Sequence, residues 1–255
     1  MNNVDVLLIP EVLNSNQVNG RLVIVIDVLR ASSTIVTAMH RGCKCFVPIF
    51  SVEEARNKSA RLNDADAEVL LCGERKGKKI KGFDLGNSPT EYTQETVKGK
   101  KIVFTTTNGV KTLEMVKAAN QVIICSFLNL KAIQNYCLSF NGDVLIVCSG
   151  KEGRFSLEDA VCAGMLIESF NENKSVKFRQ TDANLTVRLL YKNFTGNILG
   201  MLKKSQHGKY LEGIGLTSDL EFCASVNIFD TVPVVEDNTI ICFEDKVKMI
   251  GKRQQ

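Results

Sequence analysis

The sequence has little that a transition metal would bind. Histidine occurs only twice, as His40 and His207, in 255 residues. Cys43 and Cys45 form a lone C-x-C with no partner pair at zinc-ligand spacing, which argues against a zinc site. Any metal would therefore be held mainly by oxygen, and that favours magnesium. The chain also lacks an apolar run near the roughly 20 residues needed to span a bilayer. No basic stretch precedes the apolar part of MNNVDVLLIP, so the N-terminus does not read as a secretory signal. Both absences point to a cytoplasmic protein, whose nine cysteines would stay reduced. Low-complexity tracts and long repeats are missing too. The net charge of +4 is too small to imply nucleic acid. One basic cluster, Lys76, Lys78, Lys79 and Lys81, reads either as a solvated loop or as a rim that attracts an acidic small molecule.

What is present is a globular composition, 44% hydrophobic and 24% charged, in a chain long enough for one large domain or two lobes. Short Val- and Ile-rich runs read as strands at Val4–Ile9, Leu22–Asp27, Lys44–Phe50, Glu68–Cys72, Lys101–Thr105, Val122–Cys125 and Val144–Cys148. Helical patterns fall between them at Val52–Leu62, Pro89–Val97 with Ser88 as N-cap, Gly109–Ala119, Leu130–Leu138 and Leu157–Ser169. This alternation predicts an α/β fold: a mainly parallel sheet with helices on both faces. Two α/β lobes are expected, 1–98 and 99–205, with the active site at the strand C-terminal ends between them. Residues 206–255 would supply a helical segment and a β-hairpin, turning at Glu236-Asp237-Asn238, that packs back on the core.

Ligands of open α/β sheets bind beyond the carboxyl ends of the strands. Four such ends carry unusual chemistry. After the second strand comes DVLRASST. Asp27 can hold a cation, Arg30 can clamp an anion in a bidentate way, and Ser32 and Ser33 sit on the first turn of a helix. The next is CGER, with Glu74 and Arg75, followed by the loop GFDLGNSP, which carries Asp84. The third is TTTNG, where Thr106, Thr107 and Asn108 offer hydroxyls and an amide, and Gly109 lets the backbone approach closely. The fourth, CSGKEGRFSLED, places Cys148 and Arg154 at the C-x5-R spacing of thiolate phosphatases, with Gly150 in the loop and Glu158 and Asp159 on the following helix. Capped turns also favour Gly, Ser, Thr and Asn. The arginines and acids are what capping does not require.

Taken in order, VIDVLRASST (25–34), GERKGKKIKGFDLGNSP (73–89), TTTNG (105–109), CSGKEGRFSLED (148–159), His207-Gly208 and Val232-Pro233 resemble the 2-phosphosulfolactate phosphatase family. The resemblance implies an α/β fold peculiar to that family. It also implies a magnesium-dependent phosphatase that converts 2-phospho-3-sulfolactate to 3-sulfolactate and phosphate, a step that leads to coenzyme M in methanogens. A different phosphorylated hydroxy acid is an alternative substrate.

On this reading Asp27, Glu74 and Asp84 hold Mg²⁺, with Asp159 as a further candidate ligand. Asp27 could instead be a nucleophile. Arg30, Arg75, Arg154, Ser32, Ser33, Thr106, Thr107, Asn108, Gly109 and Gly150 receive the substrate's anionic groups, and His207 protonates the leaving alkoxide. Two other readings stay open: a metal-free cysteine phosphatase using Cys148 and Arg154, and a non-catalytic module that binds a sulfonate or phosphate metabolite. The expected partner is a small anionic phosphorylated substrate, with neither nucleic acid nor membrane. A homodimer is left open.

Overall fold

The computed structural model describes residues 1, 3–62, 67–172 and 181–245. Its strands are β1 Val4–Leu7, β2 Leu22–Ile26, β3 Cys45–Pro48, β4 Val69–Arg75, β5 Lys78–Lys79, β6 Lys101–Thr105, β7 Gln121–Cys125, β8 Val144–Cys148, β9 Pro233–Glu236 and β10 Thr239–Cys242. The helices are α1 Ser15–Val18, α2 Ala31–His40, α3 Val52–Leu62, α4 Gln94–Val97, α5 Gly109–Met115, α6 Leu130–Ser139, α7 Leu157–Glu172, α8 Asp182–Phe194, α9 Ile198–Lys204, α10 Gln206–Gly213 and α11 Thr217–Cys223. Short 3-10 turns cover Pro10–Val12, Pro89–Glu91 and Phe127–Asn129.

All ten strands join one mixed, mostly parallel sheet in the order β1-β8-β2-β7-β9-β10-β3-β6-β4-β5. It contains two parallel blocks, β1-β8-β2-β7 and β3-β6-β4. The antiparallel hairpin β9–β10 joins them. Its turn residues Asp237 and Asn238 both adopt positive φ, 48° and 60°, as a tight hairpin turn requires. The expected lobes 1–98 and 99–205 do not each own a sheet, because their strands interleave in both blocks. The last of the three expected segments is described only to residue 245, and 246–255 lie outside the described residues.

Because β7–β9, β9–β10 and β10–β3 are all antiparallel, the two blocks run in opposite directions. In a flat sheet their carboxyl ends would lie on opposite edges. Sheets twist by about 20–25° per strand, so five steps from β2 to β6 accumulate roughly 100–125°. The curled sheet wraps α2. Val23 and Val25 of β2, Phe46 of β3 and Phe104 of β6 share one apolar cluster with Ile35, Val36 and Met39 of α2. Alternate residues of β2, Ile24 and Ile26, with Ile146 and Cys148 of β8, face the opposite cluster, built with α7 to α11. There α7 and α8 cross closely at Gly164, where a Cβ would lie 2.0 Å from the Val187 carbonyl oxygen.

Two local expectations change. The predicted helix from Pro89 is a single 3-10 turn, with α4 starting only at Gln94. Ser88 makes no capping bond there, because its hydroxyl donates to Asp219 on α11 instead. The strand predicted to end at Cys72 continues to Arg75, because Glu74 and Arg75 pair with Lys79 and Lys78 of β5.

Candidate active site

The run LVIVI of β2 is buried throughout and ends level with β7 and β8, Ile26 pairing with both Cys125 and Cys148. Asp27 is the first residue beyond this edge. It is 6% exposed, and one carboxylate oxygen accepts the Ala31 N–H at 3.3 Å. The turn is locked from within: the Asp27 N–H donates to Ser32 Oγ at 2.9 Å, and Ser33 Oγ donates to the Val28 carbonyl at 2.8 Å. Ser32 and Ser33, expected to meet the substrate, are thus committed to the turn. The Leu29–Arg30 peptide is cis. Arg30 is buried, with Nη1 at 2.6 Å from Asp219 Oδ2 and Nη2 donating to the Gly77 carbonyl at 2.7 Å.

The second block arrives at the same place. A Cβ on Gly109, the first residue of α5, would lie 2.7 Å from Ala31 Cβ and 2.9 Å from Asp27 Oδ2. Glycine is required there by crowding. Glu74 Oε2 accepts the Gly77 N–H at 2.7 Å, and its Oε1 accepts the N–H and hydroxyl of Thr107, each at 3.2 Å. Asn108 Oδ1 accepts the Glu152 N–H at 3.1 Å, which ties this turn to the β8–α7 loop. Between the two strand ends lies a polar cavity of about 400 Å³.

Of the residues singled out in the sequence, Asp27, Arg30, Glu74, Thr106, Thr107, Asn108, Arg154 and His207 line this cavity. His207 sits on the first turn of α10, which Ser205 caps by accepting the Gly208 N–H at 2.9 Å. Its Nδ1 lies 3.6 Å from Glu158 Oε1, too long for a hydrogen bond. Burial works to raise the Glu158 carboxyl, but the His207 ring and then the Ser205 hydroxyl hold it below its ordinary value. Burial pushes Asp27 up to about 6. His207 and the Ala31 N–H oppose that rise, and Glu158 and Glu74 add to it.

The remaining expected residues lie elsewhere. Asp84 is exposed and accepts the Leu71 N–H at 2.8 Å, away from Asp27 and Glu74. Arg75 turns from the cavity and binds the Phe50 carbonyl at 3.0 Å and Thr105 Oγ1 at 2.9 Å. Both oxygens of Asp159 are taken by backbone, Oδ1 by Val28 N–H at 2.8 Å and Oδ2 by Gly150 N–H at 3.0 Å. Asp159 thus staples the β2 and β8 turns together. Its carboxyl is driven well above the ordinary range by burial and by the charges of Asp27 and Glu158. Gly150 serves the same staple.

Cys148 is fully buried in the apolar cluster, and burial raises its thiol far from the thiolate form a nucleophile needs. The C-x5-R loop starts at this buried thiol and reaches the cavity through Lys151 and Arg154. It closes on itself, with Lys151 and Arg154 exchanging backbone hydrogen bonds at 2.9 and 3.0 Å.

Sequence reading missed several lining residues: Asn87, Lys151, Gln206 and Tyr210, with Lys76 known only as part of a basic cluster. It also missed Asp219, which lies 189 residues from Arg30 and carries no local signal.

The donor set suits a hard cation. Asp27 and Glu74 form no ion pair with Lys or Arg among the described residues. The described residues contain no cluster of three or more His, Cys, Asp or Glu able to cage an ion. Mg²⁺ needs no such cage, since one or two carboxylates, waters and substrate phosphate complete its shell. Among the same residues no helix is long and apolar enough to cross a membrane.

The family model described as 2-phosphosulpholactate phosphatase matches residues 7–238. A probable 2-phosphosulfolactate phosphatase of Clostridium perfringens (strain SM101 / Type A) is 38% identical over 96% of this chain and 98% of its own. Proteins given the same name are 40% identical in Caldanaerobacter subterraneus subsp. tengcongensis, over 91% of this chain and 95% of theirs, and 39% identical in Thermotoga maritima, over 94% and 99%. With a family match across nearly its whole length and relatives this similar end to end, the chain belongs to the 2-phosphosulfolactate phosphatase family.

Proposed function

We propose that this protein is a Mg²⁺-dependent phosphoric monoester hydrolase that converts 2-phospho-3-sulfolactate to 3-sulfolactate and phosphate. The relatives' printed name supplies the substrate. The observation that carries the reading is one cavity lined by Asp27 and Glu74, two carboxylates that form no ion pair with Lys or Arg among the described residues, and by Arg30, Lys76, Lys151, Arg154 and His207. The substrate carries phosphate, carboxylate and sulfonate, roughly −4 in all, and needs this density of cationic groups.

Asp27 and Glu74 would hold Mg²⁺, which when bound neutralises phosphoryl charge and activates water. Arg30 has five N–H groups, of which Asp219 and the Gly77 carbonyl take two, so the rest can grip phosphoryl oxygens in a fixed orientation. The water oxygen bonds to phosphorus as the ester P–O bond breaks. The departing alkoxide takes a proton from His207, whose Nδ1 lies 3.6 Å from Glu158 Oε1, and both water protons leave on the phosphate, from which His207 regains its own. The buried Cys148 leaves the cysteine-phosphatase alternative without an accessible nucleophile.

Phosphate release from 2-phospho-3-sulfolactate, 2-phospholactate and p-nitrophenyl phosphate, with magnesium and with chelator, tests the proposal. The sulfonated ester should show the highest kcat/KM, and chelator should stop turnover. Equal turnover of all three, or turnover in chelator, would refute it.

A further inference from the structure

The cavity contains a feature that a merely folded turn does not need. Among the described residues, two buried polar atoms lining it have no hydrogen-bond partner: Asn87 Oδ1 and Thr106 Oγ1. Asn87 is 5% exposed and Thr106 2%. Buried polar groups are nearly always paired, and an orphan destabilises the fold unless something outside the chain completes it.

The surroundings are tightly held. The Asn87 carbonyl accepts from Thr34 Oγ1 at 3.0 Å, and the Gly86 carbonyl accepts from Tyr92 OH at 2.7 Å. Ser88 is anchored on Asp219, the same carboxylate that orients Arg30. Thr106 stands between Thr105, whose hydroxyl donates to the Phe50 carbonyl at 3.0 Å, and Thr107, bound to Glu74. The Asn87 backbone is fixed, and these two cavity-lining polar atoms are left unsatisfied among the described residues. That is the signature of preorganised groups awaiting a ligand.

We propose that Asn87 and Thr106 are catalytic residues that hold the reacting centre, an inference that rests on the phosphatase reading above. The Thr106 hydroxyl donates to a phosphoryl oxygen. The Asn87 amide oxygen accepts a hydrogen bond from the attacking water and aligns it opposite the ester oxygen. As the new O–P bond forms the ester P–O bond breaks, the alkoxide takes the His207 proton, and the water's two protons end on the phosphate, from which His207 is reprotonated. Neither residue supplies a proton or a charge of its own. Their contribution is orientation and a donor aimed at the transferring group.

Thr106→Val and Asn87→Leu, which nearly conserve shape and delete the orphan polar atoms, test the proposal. Each should lower kcat about 100-fold with little change in KM, as loss of one preorganised contact does. Melting temperature should stay level or rise, because an unsatisfied buried group has been removed. Thr106→Ser, which keeps the hydroxyl, should retain kcat and serves as the decisive control if Asn87→Leu fails to fold. Activity lost in step with stability, or kcat retained in Thr106→Val, would overturn the proposal. A wild type that releases no phosphate from 2-phospho-3-sulfolactate would instead refute the phosphatase reading. Calorimetric binding of orthovanadate with Mg²⁺, a mimic of the transferring phosphoryl group, would then decide the present point: at least tenfold weaker binding in Thr106→Val supports the grip, and unchanged binding rejects it.

Discussion

Replacing Asp27 with asparagine should make the metal-free protein more stable while abolishing its activity. Burial raises this carboxyl from 3.8 to about 6, with Glu158 and Glu74 adding to the rise. The folded state therefore holds the Asp27 proton more tightly than the unfolded chain does. Its contribution to stability is intact below pH 3.8, falls as pH rises to about 6, and is constant above that. A gap of about two pH units corresponds to roughly 3 kcal/mol, taken as an upper limit. Asp27→Asn removes the ionising group, so at pH 8 in chelator it should gain about 1–3 kcal/mol, a gain that fades below pH 6 and disappears near pH 4. Magnesium reverses the order. At 100 times its Kd a cation adds about 2.7 kcal/mol to the wild type and little to a variant that has lost half its carboxylate site. Urea unfolding at pH 8 and pH 4, with magnesium and with chelator, measures all of this. An Asp27→Asn variant less stable than wild type in chelator at pH 8, or stabilised by magnesium as strongly as wild type, would refute the reasoning.

Other substitutions separate the groups in the cavity from those behind it. Gly109→Ala places a Cβ 2.9 Å from Asp27 Oδ2 and should lower kcat/KM about 100-fold by displacing that carboxylate, as steady-state kinetics will show. Cys148→Ala should leave kcat within about threefold while reducing stability by roughly 1 kcal/mol, read from activity and urea unfolding together. Asp219→Ala leaves Arg30 buried without its partner and should destabilise the fold by about 3–5 kcal/mol in the same unfolding assay. Asp219→Asn, which retains an acceptor, should cost clearly less.

Much of the fold could be read along the chain because its signals are local. Val144–Cys148 and Val52–Leu62 are strand and helix as expected, since a short buried Val-rich run and an amphipathic stretch each declare themselves. The Asp237-Asn238 turn is just as plain. What stayed hidden depends on the twist of the sheet. The carboxyl ends of two opposed blocks meet only because the sheet wraps α2, so Gly109 touches Asp27 although the hairpin β9–β10 stands between their strands in the sheet. The same geometry decides among chemically similar residues. Glu74 faces the cavity while its neighbour Arg75 faces Phe50, by the alternation of a strand that sequence reading had ended too early. Ser32, Ser33 and Asp159 looked like ligand groups but satisfy backbone atoms at the turns they cap. Their chemistry was legible and their partners were not.

The central claim is that Asp27 and Glu74 together grip a cation that grips a phosphoryl group. The most direct measurement is the position of Mn²⁺, located by anomalous scattering in crystals grown with Mn²⁺ and inorganic phosphate. The account predicts one strong peak bridging Asp27, Glu74 and the bound phosphate. A peak at Asp84, or phosphate seated in the cavity with no metal beside Asp27, would contradict it.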